Sequence, residues 1–76
     1  MNSEVAFNIK LIKGVEEGRE GYKLEHLSTS QQIMAGLALC RPDLLEIARY
    51  PADHIRMAWG RLNDEQRQAV IAWWEH

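Results

Sequence analysis

Four side chains in this sequence belong to the usual metal ligands and nucleophile partners: His26, Cys40, His54 and His76. Successive members lie fourteen, fourteen and twenty-two residues apart, so none forms the close pair that anchors a structural zinc site. That spacing predicts surface histidines and a buried thiol acting as a small hydrophobe. A catalytic thiol needs an electropositive, partly exposed setting, whereas Cys40 closes the apolar series Ile33, Leu37, Cys40. Asp53 and His54 are consecutive, which on a helix turns their side chains about 100° apart, a poor arrangement for orienting an imidazole. Glu16, Glu17 and Glu20 read as solvated companions of Arg19 and Lys23. Gly14, Gly18 and Gly21 are separated by acids that would repel a phosphate, and no Lys-Ser or Lys-Thr pair follows them. The expectation is a protein without metal, cofactor or catalytic residues, and a core of this size has little material for the walls of a substrate pocket.

Two constellations point to binding. Residues 42–50 and 51–62 meet at Tyr50 and Pro51 and could form a helix-turn-helix presenting His54, Arg56 and Arg61 to DNA. Against this, Asp53 would enter the groove first, no small residue marks the turn, and nine Lys plus Arg against eleven Asp plus Glu leave a net charge of -2. Nucleic acid is therefore the alternative partner. The stronger signal is aromatic. Tyr50, Trp59, Trp73 and Trp74 cluster toward the C-terminus, and each large ring can bury about 150–250 Å². Either all three tryptophans belong to the core, or at least one joins an interface, where Trp, Tyr and Arg most often carry binding energy. Trp73, in line with Ala69, is expected to face the core, and Trp74, in line with Val70, the flank. The candidate interface residues are Trp74, Trp73, Tyr50, Arg49 and Arg56.

The elements that must position these residues read as helices. Seventy-six residues and 46% apolar composition predict one small folded domain spanning residues 1–76. Residues 4–13 are ambiguous. Val5, Phe7, Ile9 and Leu11 alternate as in a strand, which would pair with Tyr22 to Leu27, while Val5, Ile9 and Ile12 recur at helical spacing behind a Ser3 cap. Helix is favoured, and the three glycines predict a loop or frayed end after Lys13. Ser28 and Gln31 form a capping-box pattern opening a helix over 28–40. Pro42 starts a helix to Tyr50 that buries Leu44, Leu45, Ile47 and Ala48. Pro51 starts another, to Leu62, with Ile55, Ala58, Trp59 and Leu62 on one face. Asn63 with Gln66 caps the last helix, with the stripe Ala69, Val70, Trp73, Trp74.

The result is an all-α bundle of four or five short helices. Its lone cysteine suits a reducing, cytoplasmic compartment. An acid among the first residues and the early Lys10 do not fit a secretion signal, and no apolar run reaches the ~20 residues needed to cross a bilayer. The functional expectation is a small non-enzymatic interaction or regulatory module that binds another protein or pairs with itself as a homodimer.

Overall fold

A computed structural model describes residues 2–75, and His76 lies outside the described residues. Among them are five α-helices: α1 (Ser3–Glu17), α2 (Thr29–Ala38), α3 (Pro42–Ile47), α4 (Ile55–Gly60) and α5 (Asp64–Trp74). Three 3-10 turns, Glu20–Tyr22, Leu24–His26 and Ala52–His54, bend the connections. There is no strand among the described residues. The first element is a helix, and its proposed hairpin partner, Tyr22 to Leu27, is two 3-10 turns.

Local chemistry explains most of the ends. Asn2, rather than Ser3, caps α1, its side chain accepting from the Val5 N–H at 2.8 Å. At α2 the Gln31 and Ser28 N–H groups donate to the Ser28 hydroxyl and the Gln31 amide, at 3.2 and 2.9 Å. The Asn63–Gln66 box repeats this at α5, at 2.8 and 3.0 Å. Gln66 also donates to the Ser30 hydroxyl at 3.3 Å, tying the first turn of α5 to that of α2.

The C-terminal ends depart from the sequence reading. Helix α1 runs through Gly14 and stops only at Gly18, whose φ of 69° closes a Schellman turn in which Arg19 N–H donates to the Gly14 carbonyl. The same turn ends α2 with Cys40 (φ 53°) and α3 with Arg49 (φ 68°) in the left-handed position, usually glycine's. Helix α2 therefore stops at Ala38 and α3 at Ile47, not at Cys40 and Tyr50. Pro51 stays extended, and α4 begins at Ile55 after the turn at Ala52–His54.

Helices α1 and α2 pack on α5, and α3 packs on α2. Ile12, Ile33, Met34 and Val70 are the largest wholly buried side chains, joined by Leu11, Leu44, Leu45, Ala58, Leu62 and Ala69. Ile47, expected in the core, is 58% exposed. It lies about 100° off the face that Leu44, Leu45 and Ala48 present to α2, and α3 is too short to bury a second face. The segment before α2 folds back so that the Tyr22 ring covers Gly14.

Candidate interaction surface

The site is built from the ends of α2, α4 and α5. Trp74, in the last turn of α5, is 52% exposed, yet it is held at two points. Its indole N–H donates to the Ala38 carbonyl at 3.0 Å, satisfying an acceptor at the C-terminal end of α2. Its ring stacks on Trp59 of α4, with centroids 6.1 Å apart and planes 13° from parallel. Trp74 is thus a fixed, half-exposed aromatic wall rather than a free flanking side chain.

Two grooves share that wall and Ile55. One, of about 330 Å³, is lined by Gly36, Leu37, Cys40, Pro42, Leu45, Ile55 and Trp74. The other, of about 650 Å³, is lined by Ile55, Arg56, Trp59, Ile71 and Trp74. Ile55 and Ile71 are 48% and 44% exposed, so with Trp74 they form a continuous apolar surface across α4 and α5. Arg67, half-buried on α5, ties the two helices together. Its guanidinium donates to the Trp59 carbonyl at 3.1 Å and the Gly60 carbonyl at 3.2 Å, capping the C-terminal end of α4.

The interface residues named from sequence separate here. Trp74 and Arg56 line the same groove. Trp73 and Tyr50 are half-buried and pack against the core, and Arg49 is exposed at the end of α3. Ile55 was read as a core residue, on one face with Ala58, Trp59 and Leu62, and Ile71 lies off the stripe of Ala69, Val70, Trp73 and Trp74, so neither was read as a surface residue. Cys40 is exposed and lines the smaller groove, contrary to the buried, inert thiol expected. The left-handed turn at Cys40 takes it off the stripe of Ile33 and Leu37.

Other charged groups have simpler roles. Arg41 forms a two-point contact with Asp43, at 2.7 and 3.3 Å, and its hydrogen bond holds the Asp43 carboxyl below its ordinary pKa. Asp53 and His54, both exposed, come within 3.2 Å in the turn at 52–54, closer than the reading of consecutive helical positions expected. Arg49, Arg56 and Arg61 have no ion-pair partner among the described residues. Among those residues no three His, Cys, Asp or Glu side chains come together to hold a metal ion, and no helix is long and apolar enough to cross a membrane. Segment 42–62, the alternative DNA-reading pair, is α3, the turn at 52–54 and the six-residue α4, on which Arg56 stands between the exposed Ile55 and Met57. Compared with protein-family models, curated proteins and solved structures, the chain finds no match.

Proposed function

We propose that this protein is a small non-enzymatic protein–protein interaction module, cytoplasmic in keeping with its lone thiol, and that the α4–α5 surface around Trp74 is where it binds. The observation that carries the reading is the state of Trp74: half-exposed, but immobilised by its stack on Trp59 and its bond to Ala38. An indole already held in place loses little side-chain entropy when a partner covers it, and pre-organised aromatic anchors beside apolar pockets are typical centres of binding energy. Apolar side chains gathered on one face, unlike scattered ones, mark contact surfaces. The groove walls are chiefly hydrocarbon and indole, a chemistry suited to burial against another apolar surface.

The test is affinity capture with the wild type, Ile71→Glu, and Lys10→Glu as a control on α1 outside both grooves. A protein retained by the wild type and the control but lost with Ile71→Glu supports the assignment, whether that protein is a second copy or another chain. Equal retention by all three, or capture of duplex nucleic acid instead of protein, refutes it.

A further inference from the structure

Two polar side chains are buried among the described residues, Asn8 at 7% exposure and Gln66 at 8%, and both line one pocket of about 430 Å³. This pocket shares no residue with the grooves around Trp74. It opens at the N-terminal ends of α1, α2 and α5, between Ser3 and Glu4 on the first, Gln31 on the second and Asn63 on the third. The fold itself accounts for Gln66, whose amide accepts from the Asn63 N–H and donates to the Ser30 hydroxyl. Asn8 makes no side-chain hydrogen bond among the described residues. Because no sealed side-chain nitrogen or oxygen among them lacks a partner, the Asn8 amide must reach the pocket it lines. A buried amide is costly to leave unpaired, so one that meets no protein group marks the place of a ligand or of ordered water.

We propose that this pocket binds a neutral polyhydroxylated molecule, a sugar ring, with Asn8 as its buried hydrogen-bonding contact and Phe7 as its stacking face. The wall groups are mixed in what they still offer. The side-chain oxygens of Gln31, Asn63 and Gln66 are engaged in the helix caps, which leaves N–H donors, whereas the Glu4 carboxylate only accepts and Asn8 does both. A hydroxyl donates and accepts, so a ring of hydroxyls can meet every one of these groups. Charge points the same way. Helix N-termini attract anions, but no Lys, Arg or His lines the pocket, and Glu4, Asp64 and Glu65 already stand in the first turns of α1 and α5. The row of N–H donors in turn opposes a cation. Glu4 lies three and four residues from Phe7 and Asn8, which brings carboxylate, ring and amide together along α1. Phe7 is 56% exposed at the pocket, an apolar ring face for the C–H side of a sugar.

Titration of the isotope-labelled full chain with glucose, galactose, mannose and N-acetylglucosamine, followed by NMR through its amide resonances, tests this. At least one sugar should give saturable shifts in the millimolar range or tighter, centred on the side-chain amides of Asn8, Gln31 and Asn63. Asn8→Leu replaces the amide by an apolar group of similar shape. It should weaken that binding roughly tenfold and leave the thermal melt unchanged or raised, since no protein hydrogen bond is lost. Phe7→Ala, at an exposed position, should weaken it roughly threefold with little change in the melt, and decides alone if Asn8→Leu does not fold. Ile71→Glu should leave the sugar affinity unchanged, so this pocket and the Trp74 surface stand or fall separately. Absence of saturable shifts with every sugar means that water alone fills the pocket, and overturns the proposal. So does a stronger response to phosphate, acetate or adenine than to any sugar, or sugar binding undiminished by the folded variants.

Discussion

Gly14 lies inside α1, where replacing glycine by alanine ordinarily stabilises a helix by about 1 kcal/mol. Here the opposite sign is expected. A Cβ on Gly14 would stand 2.6 Å from Cγ and 2.7 Å from Cε2 of Tyr22, with Cδ2 between them. Ordinary carbon contacts need about 3.5–4.0 Å, so the ring must retreat by roughly 1 Å. Rotation about the ring axis leaves Cγ in place, so relief requires moving the whole side chain and the turn at Glu20–Tyr22 that carries it. Overpacking of this kind costs about 1–3 kcal/mol. Set against the gain in propensity, Gly14→Ala should be destabilising by about 1 kcal/mol, a fall of about 4–8 °C in Tm for a domain of this length. With Tyr22→Ala in the background the clash is gone, and the same change should stabilise by about 1 kcal/mol. The coupling in the double-mutant cycle should then be about 2 kcal/mol. Urea and thermal melts of the four proteins measure it. Stabilisation by Gly14→Ala in the wild type, or equal effects in the two backgrounds, would refute the packing of Tyr22 over α1.

The left-handed turns give a prediction of opposite sign. Cys40→Gly and Arg49→Gly should each stabilise by about 1 kcal/mol in urea melts, since a side chain at positive φ costs about 1–2 kcal/mol. Cys40 should also react quickly with a thiol reagent in the native protein. Trp74→Phe keeps an aromatic ring but leaves the Ala38 carbonyl without its donor, and thermal melts should show a loss of about 1 kcal/mol. By NMR titration Asp43 should ionise below the ordinary carboxylate range, and Arg41→Ala should raise its pKa toward that range. Because its folded-state pKa is depressed, the pair's contribution to stability is present above the ordinary aspartate pKa and disappears as the pH falls through the lowered value.

Features set by neighbours in sequence were legible, and those set by distant contacts were not. Ser28 with Gln31 and Asn63 with Gln66 mark the starts of α2 and α5 because a capping box is made within four residues. Pro42 marks the start of α3 for the same local reason. Gly14 sits inside α1 as the small residue over which Tyr22 folds back, a contact that no periodicity reveals. Cys40 and Arg49 occupy positions where glycine is the usual signal, so α2 and α3 were read too long and Cys40 was read as buried. Trp73 and Trp74 were correctly separated into inner and outer members by their 100° offset. The anchoring of Trp74 to Ala38 and Trp59 was invisible, because it joins residues 36 and 15 positions apart in the chain. Tyr50 was grouped with the interface for its type, yet it packs on the core.

The claim that the α4–α5 surface around Trp74 is the binding face is tested most directly by photo-cross-linking in living cells. A benzophenone side chain is placed at Ile71 in one protein and at Lys10 in another. Adducts formed from position 71 but not from position 10, and abolished when Trp74 is also changed to alanine in a protein that still folds, are the predicted result. No adduct from position 71, or equal adducts from both positions, would contradict the account.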